Sequence, residues 1–226
     1  MPDVAENSRR LRTVRSFVRR AGRMTAAQKR ALQTLWPVYG IDYRPEELDL
    51  DEIFGRQAEL VMEIGFGNGE LLVSMAAENP DKDYIGVEVH EPGVGHCLLS
   101  IQSHELTNVR VICHDAVEVL NAQIPDLSLR AAHLFFPDPW PKKRHHKRRI
   151  VQPDFVELLR RKIDRGGLLH TATDWDEYAS HMDATILANK GFQRSPMAHD
   201  KRPRTKFERR GERLGHQITE SFFERI

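Results

Sequence analysis

Cysteine is scarce in this chain, which has only Cys97 and Cys113 among its 226 residues. Two cysteines placed in this way match neither the short paired spacing of a zinc site nor the dense pattern of a disulfide framework. The scarcity favours a reducing compartment, and we expect the protein to act in the cytoplasm. His145 and His146 lie inside a basic run, where neighbouring positive charges repel a cation, so no metal ion is expected.

Long hydrophobic runs are also lacking. No apolar stretch approaches the roughly 18 residues that a membrane-spanning helix needs, and no apolar region with a small-residue cleavage site follows the arginine-rich N-terminus. We therefore expect no membrane association and no cleaved targeting segment. Hydrophobic residues make up 40% and charged residues 30% of the chain, which is the composition of a globular domain.

Net charge is nearly absent, at +1 for the whole chain, but the charges are segregated. Residues 1–30 carry nine Lys or Arg against two acids, whereas residues 41–126 carry four against eighteen. Residues 142–149 hold six Lys or Arg and two His, and residues 201–213 hold seven basic residues against two acidic. One such block alone is usually a solvated surface, but three gathered on one face would attract a polyanion. Nucleic acid is therefore the expected partner class.

From Leu60 onward, short apolar runs alternate with amphipathic stretches of helical length, the pattern of βα units on a parallel sheet. The predicted strands are Leu60–Ile64, Tyr84–Val89, Val109–Cys113, Ala131–Phe136 and Leu168–Thr173. The predicted helices are Glu70–Glu78, Val94–His104, Ala116–Ala122, Gln152–Ile163 and Trp175–Asn189. The sequence therefore predicts an α/β fold with a mostly parallel sheet and helices on both of its faces.

Two further segments flank this pattern. Thr25–Leu35 is typical of a helix with Thr25 as N-cap, ended by Pro37. The residues upstream have no apolar face large enough to hold them, so we predict a mobile basic arm over residues 1–24 and a single domain over residues 25–226. The loose alternation of Gly215–Glu224 predicts a final antiparallel strand.

A glycine-rich turn, EIGFGNGE, joins the first predicted strand to the helix that follows. It places Gly65, Gly67 and Gly69 where backbone N–H groups can approach a ligand closely. The spacing differs from the G-x-G-x-x-G fingerprint of dinucleotide sites, and Glu63 would repel a pyrophosphate but attract a cation. The turn therefore favours S-adenosylmethionine, which carries a sulfonium and an amino group, with a tight structural turn as the alternative.

Further acids follow the next strands. Glu88 ends the second strand, where a carboxylate can accept hydrogen bonds from both ribose hydroxyls. Asp115 follows the third strand, in a position to accept from the adenine amino group, and Asp138 follows the fourth, beside the expected methyl position. Because ligands of open parallel sheets bind at the carboxyl ends of the strands, these acids and Glu63 predict one cofactor site.

The stretch FFPDPWPKKRHHKRR changes from an apolar strand, through a proline-rich loop, to an unbroken basic run. Pro137, Pro139 and Pro141 restrict the backbone at three positions and should make the loop stiff. A stiff loop would hold Asp138 and Trp140 at the reactive end of the cofactor and carry the basic run across the mouth of the cleft. The alternative is a rigid structural loop beside a solvated run.

The chain resembles a known family, the bacterial-type tRNA (guanine-N7)-methyltransferases, over most of its length. The most specific motifs are the proline loop, TATDW and RPRTKFERRGERLGH. The resemblance extends to RSFVRRAGRMTAAQ, EIGFGNG and IGVEVHEPGVGHCL. The family often has a tryptophan where this chain has QITESFF, which puts only local packing in doubt.

The resemblance implies a Rossmann-like class I methyltransferase with a seven-stranded sheet, which transfers a methyl group from S-adenosylmethionine to N7 of guanine 46 in the variable loop of tRNA. It implies a monomer or weak homodimer. Asp138 would be catalytic and would also contact the cofactor, as would Glu63, Gly65, Gly67, Gly69, Glu88 and Asp115. The substrate would be held by Lys142, Asp174, Thr205, Lys206, Phe207 and Glu208. RNA would be contacted by Arg144, His145, His146, Lys147, Arg148 and Arg149.

Guanine N7 has an in-plane lone pair, so attack on a sulfonium methyl group needs no base, and we expect Asp138 to stabilise positive charge rather than remove a proton. Trp140 or Phe207 could stack on a displaced base. Two alternatives stay open. One is a methyltransferase acting on another RNA, a protein or a small molecule, and the other is an RNA-binding protein without catalytic activity, which the complete set of cofactor residues disfavours.

Overall fold

The computed structural model describes residues 16–17, 22–195, 202–203, 208 and 217–226 of the chain. In this part of the chain, eight strands form one sheet in the order β1-β4-β3-β2-β5-β6-β8-β7. The strands are β1 Gly40–Ile41, β2 Leu60–Ile64, β3 Asp83–Val87, β4 Val109–Ile112, β5 Leu129–Phe135, β6 Ile163–Thr173, β7 Phe192–Arg194 and β8 Thr219–Arg225. Strands β1 to β6 pair in parallel, whereas β8 is antiparallel to both β6 and β7.

Among the described residues, these strands are connected or flanked by the α-helices α1 Ala26–Thr34, α2 Trp36–Tyr39, α3 Leu50–Phe54, α4 Glu70–Glu78, α5 Glu91–Ser103, α6 Ala116–Ala122, α7 Pro153–Lys162 and α8 Asp176–Ala188. Three of these helices, α1, α3 and α6, begin after a residue whose side chain caps them. Thr25 forms a capping box with Gln28 at the start of α1, and Asp115 accepts a hydrogen bond from the Val117 amide at the start of α6. A 3-10 helix, Lys143–Arg148, follows β5.

The sheet is covered on both faces, as predicted. One face packs against α6, α7 and α8, with Met62, Leu120, Phe155 and Tyr178 in its core. The other packs against α1, α4 and α5, with Val61, Leu72, Val94 and Ile101 in its core. The strands β2 and β3 are buried along their whole length, which explains why they read as continuous apolar runs.

The mostly parallel α/β fold and its final antiparallel strand are confirmed, and the sheet has one strand more than the seven expected. The additional strand is β1, which is two residues long and pairs with β4 at the sheet edge. The predicted N-terminal helix is confirmed, since α1 has Thr25 as N-cap and Leu35 as C-cap, and Pro37 lies just beyond it, in the first turn of the short helix α2. No helix in the described ranges is both long and apolar enough to cross a membrane.

Candidate active site

The glycine-rich turn adopts a backbone that only glycine takes without strain. Gly65, Gly67 and Gly69 have φ values of 75°, 60° and 79°. At Gly69 an added Cβ would lie 2.4 Å from Cys97 Sγ and 2.7 Å from Cys97 Cβ, so α4 and α5 approach as closely as they do because this side chain is absent. The turn therefore sits tightly against the start of α4, with its backbone at the carboxyl end of β2.

Glu88 ties the glycine turn to the end of the next strand. Its Oε2 accepts a hydrogen bond from the Gly67 amide at 2.9 Å. Its Oε1 accepts from the amides of Val89 at 2.7 Å and His90 at 3.0 Å. These backbone donors fix the carboxylate at the rim of the site before any ligand binds, and a fixed carboxylate is suited to receive ribose hydroxyls.

A cleft of about 710 Å³, its open mouth included, lies at the carboxyl ends of β2, β3, β4 and β5. Four of the predicted site residues line it: Gly65, Glu88, Asp115 and Asp138. The structure therefore brings the glycine turn and acids from three separate segments of the sequence to one cavity, at the edge of the sheet where ligands of this fold class bind.

Asp115 and its neighbour His114 form the wall of the cleft next to α6. The Asp115 carboxylate caps α6, so one of its oxygens already accepts a hydrogen bond from the helix backbone. The His114 ring stacks on Tyr43, with ring centroids 3.8 Å apart, and its Nε2 lies 2.5 Å from Glu118 Oε2. Sequence reasoning did not select Tyr43, because it lies in no recognisable motif.

Asp138 lies on an exposed loop with a strained backbone. Phe136 and Trp140, on either side of the Pro137-Asp138-Pro139 segment, have φ values of 50° and 45°. Positive φ is costly for bulky residues, at about 1–3 kcal/mol each, and such strain persists only where surrounding contacts hold it. The Trp140 indole N–H donates to the Ser16 carbonyl at 3.1 Å, and the Arg148 guanidinium lies 5.1 Å from the indole centroid. These contacts place Trp140 as a packing residue of the loop.

Ser16 and Phe17 also line the cleft. Both belong to the segment predicted to be a mobile arm, and most of that arm lies outside the described residues. The contact between Ser16 and Trp140 brings this part of the arm to the proline loop. The sequence contained only a weak indication that these two residues line the cleft, because the arm shows only charge and no periodic apolar face.

Glu63 lies beneath the glycine turn and is 3% exposed. Its Oε2 has no hydrogen-bond partner among the described residues. Burial raises the pKa of Glu63 to about 8, with Arg202 opposing the rise and Glu88 adding to it. A buried carboxyl with an unused oxygen fits a cofactor that brings a cationic amino group and no phosphate, and S-adenosylmethionine is such a molecule.

We predict that cofactor binding at pH 7 releases a proton from Glu63. The free carboxyl is mostly protonated below its pKa of about 8, and an incoming cation favours the ionised form. Affinity should therefore rise as pH increases from 6 to 8 and level off above that. Calorimetry in buffers of different ionisation enthalpy measures the released proton directly, and Glu63→Gln should abolish the release. Equal binding enthalpies in all buffers for the unmodified protein would contradict the prediction.

The basic run after the proline loop forms an exposed 3-10 helix beside the cleft. Lys142, Arg144 and Lys147 are exposed, and His145, His146 and Arg148 are half-buried. Partial desolvation, then the charges of Arg144, Arg148, Lys142 and Lys147, lower the pKa of His145. The predicted RNA-contacting residues thus form a continuous cationic surface next to Asp138, with Arg149 as the exception.

Arg149 is buried, and its guanidinium is committed to protein partners. Its Nε donates to the Pro139 carbonyl at 2.9 Å, and Nη1 and Nη2 donate to the two Glu177 carboxylate oxygens at 3.0 and 2.9 Å. The prediction that Arg149 contacts RNA therefore conflicts with its position in this structure, because no part of the fork faces the surface.

The C-terminal substrate motif is described only at one position. Thr205, Lys206 and Phe207 lie outside the described residues, so their predicted roles stay predictions. Glu208 is buried in an ion pair with Arg202, whose guanidinium lies 4.8 Å from the Phe135 ring centroid. Its position favours holding the C-terminal segment against the sheet over direct contact with substrate.

Asp174 follows β6 at the same edge of the sheet and is half-buried. The next residue, Trp175, is 41% exposed and is the N-cap residue of α8. The Phe136 amide donates to the Ala172 carbonyl at 2.8 Å, which joins the strand ends that precede Asp138 and Asp174. No group of three or more His, Cys, Asp or Glu placed to hold a metal ion occurs among the residues that the structure describes.

The fold and the cleft define a Rossmann-like methyltransferase that uses S-adenosylmethionine. A family model described as "Putative methyltransferase" matches residues 57–221. The structure of the aminoglycoside resistance methyltransferase NpmB1 superposes with a TM-score of 0.56 at 15% identity, covering 79% of this chain and 92% of that chain, which supports the fold alone.

Curated relatives place the chain more narrowly. The tRNA (guanine-N(7)-)-methyltransferase of Aeromonas hydrophila is 54% identical over 227 residues, covering 98% of this chain and 96% of the relative. That of Shewanella amazonensis is 55% identical over 222 residues, covering 96% and 93%. The chain belongs to the tRNA (guanine-N7)-methyltransferase family.

Proposed function

We propose that this protein transfers the methyl group of S-adenosylmethionine to N7 of a guanine in tRNA, at position 46 of the variable loop. The observation that carries the proposal is the position of Asp138, which lines the cofactor cleft on the loop that leads into the cationic surface at Lys142. One cavity thus adjoins both a site for a sulfonium donor and a surface for a polyanion. The identity of the curated relatives, at 51–55% over nearly the whole chain, supports the same substrate class.

The cofactor supplies an electrophilic methyl group on a sulfonium. On the protein side, Glu63 is placed to meet the cationic amino group, because it is buried and has an unused oxygen. Glu88 is held by three backbone amides and is placed to receive the ribose hydroxyls. Asp115, in the wall of the cleft that it shares with His114, would accept a hydrogen bond from the adenine amino group. No phosphate-binding cation is required, which agrees with the acidic character of the cleft.

The guanine needs no general base, because N7 presents its lone pair in the ring plane. The ring becomes cationic as the methyl group arrives, so a carboxylate at Asp138 stabilises the charge that develops. Asp174, at the end of the neighbouring strand, is placed to accept hydrogen bonds from the edge donors of guanine. Most of the acceleration comes from holding the two reactants in line, for which effective molarities reach about 10⁵ M or more.

The cationic surface should bind tRNA mainly through phosphates. For about five phosphate contacts, the logarithm of the association constant should fall with the logarithm of salt concentration at a slope near −4. Titrations of tRNA binding at several salt concentrations measure the slope. Replacing Lys147 by alanine should reduce its magnitude by about one. An affinity that does not change with salt would remove this surface from the interface.

The proposed function is tested by the position of the methyl group. The protein is incubated with labelled S-adenosylmethionine and bulk tRNA, and modified RNA is treated with borohydride and aniline, which cleave the chain at N7-methylguanine. We expect cleavage at position 46 in RNA treated with active protein and none without the cofactor. Label at another nucleotide, or label in added protein but not in tRNA, would overturn the proposal.

A further inference from the structure

The buried Arg149 joins two loops that each carry a candidate substrate-site acid. Through Nε it holds the Pro139 carbonyl, one residue after Asp138. Through Nη1 and Nη2 it holds the carboxylate of Glu177, in the first turn of α8 and three residues after Asp174. We call Arg149 and Glu177 together the loop bridge.

Other contacts fix the loop bridge in place. The Arg149 guanidinium lies 4.9 Å from the centroid of the Tyr178 ring, and its Nη2 lies 3.1 Å from His146 Nε2. The fork of the guanidinium is therefore occupied on its Nε side, at its tip and on one face. Lysine cannot reproduce these contacts, because its ammonium group lacks the planar arrangement of several fixed donors that a guanidinium has.

The two partners of the loop bridge differ in exposure. The Arg149 side chain is 1% exposed, whereas that of Glu177 is 57% exposed. The hydrogen bond from Arg149 is the main cause that lowers the pKa of Glu177. Glu177 therefore joins the first turn of α8, which follows Asp174 and Trp175, to the proline loop through Arg149.

We propose that Arg149 and Glu177 are positioning residues, which set the distance between the Asp138 loop and the Asp174–Trp175 turn and so shape the guanine site. The proposal rests on the proposed function. It gives the last arginine of the basic run a different role from its neighbours, because a residue that contacts phosphate must reach the surface. Neither residue touches the reacting atoms, so their effect passes through Asp138 and Asp174.

Glu177→Gln and Arg149→Lys test the proposal by kinetics. Both should lower kcat at saturating tRNA and cofactor by about tenfold or more, because displacements near 1 Å can reduce rates by about 10²-fold. The KM for tRNA and the salt slope of tRNA binding should stay within about twofold of the unmodified protein, since the phosphate contacts are retained. Lys147→Ala should instead weaken tRNA binding and flatten the salt slope, because it removes a phosphate contact.

The chain offers a matched control for the loss of a buried ion pair. Lys162 is 3% exposed and binds Asp126, which is 53% exposed, at 2.6 Å. As in the loop bridge, the basic side chain of this pair is buried and the acidic side chain is exposed. The pair lies next to the first residues of β5 and β6, at the opposite end of the sheet from the cleft. Asp126→Asn should lower the melting temperature to a similar extent as Glu177→Gln and leave kcat unchanged. An equal loss of kcat in both would show a general effect of stability and overturn the proposal.

Fluorine NMR provides a readout that needs no activity. The chain has three tryptophans, of which Trp140 and Trp175 lie on the two joined segments, while Trp36 lies in α2, beside the β1 edge of the sheet. With 5-fluorotryptophan, both Glu177→Gln and Arg149→Lys should shift or broaden the Trp140 and Trp175 resonances and leave Trp36 unchanged. If Arg149→Lys fails to fold, Glu177→Gln decides the outcome.

The outcomes separate this proposal from the proposed function. Unmodified protein that does not methylate tRNA would refute the function, while coupled shifts of Trp140 and Trp175 would still support the loop bridge. Normal methylation with an unchanged kcat in Glu177→Gln would refute the loop bridge alone. A loss confined to tRNA affinity, with a flatter salt slope for Arg149→Lys, would assign Arg149 to the RNA interface and overturn the positioning role.

Discussion

Replacing Asp138 by alanine is expected to lower the rate of methyl transfer by about 10²- to 10³-fold, the usual effect of removing one charge-stabilising group. The tRNA dissociation constant should stay within a few-fold of the original, because the cationic surface beyond the loop is unchanged. Asp138 lines the cleft and lies between two residues with strained backbone, Phe136 and Trp140. Single-turnover methylation measures the rate, and filter binding measures the affinity.

Two further variants are needed to interpret the expected loss of rate in Asp138→Ala. Asp138→Asn keeps an acceptor oxygen but loses the charge, so a rate close to that of Asp138→Ala would show that charge is what matters. A rate close to that of the unmodified protein would assign a hydrogen-bonding role instead. Asp81→Ala removes an exposed acid just before β3, at the other end of the sheet, and should change neither quantity. Equal losses of binding and rate in Asp138→Ala would contradict our mechanism.

The sequence predicted best those elements whose signals are local. The bounds of β2, α4 and α6 agree with the prediction, because each combines an apolar pattern with a glycine or an N-cap residue at its edge. The same local signals predicted which acids follow the ends of the strands. In a parallel sheet the carboxyl ends share one edge, so the assembly of Gly65, Glu88, Asp115 and Asp138 in one cleft followed from topology.

The prediction was wrong where pairing depends on distant residues. The strand β1 is two residues long, too short for any periodic signal, and forms only because β4 offers an edge. The strand β6 begins at Ile163 rather than Leu168, although Arg165 and Gly166 read as a turn, because Leu129 of β5 pairs with Ile163 across a register shift. Edges and irregular pairings are decided by the partner strand and are not visible in one segment.

Side-chain orientation within the basic run could not be predicted from the sequence either. Six successive residues, Arg144 to Arg149, have similar chemistry, and nothing in their order shows that only the last is buried. Its burial depends on Glu177 and Tyr178, about 28 residues further along the chain. A charge run predicts a surface, but the fold decides which of its members becomes part of the framework.

Replacing Gly69 by alanine should disrupt the cofactor site. The new Cβ would overlap Cys97 Sγ at 2.4 Å and Cys97 Cβ at 2.7 Å, in a backbone with a φ of 79°. Forcing α4 away from α5 should cost about 1–3 kcal/mol of stability, as overpacking of a close contact does. The glycine turn moves with α4, so we expect cofactor affinity to fall by about 5- to 100-fold, since 1.4 kcal/mol corresponds to tenfold.

Gly55→Ala separates backbone strain from the collision. Gly55 has a φ of 68° and nothing within 4 Å of an added Cβ, so alanine there should cost about 1 kcal/mol of stability and leave cofactor affinity unchanged. Cys97→Gly removes both overlapping atoms, and the double variant Gly69→Ala with Cys97→Gly should regain cofactor affinity relative to Gly69→Ala alone. Thermal unfolding and calorimetry measure the two quantities. Gly69→Ala and Gly55→Ala with the same effects would show that the contact between α4 and α5 does not hold the glycine turn.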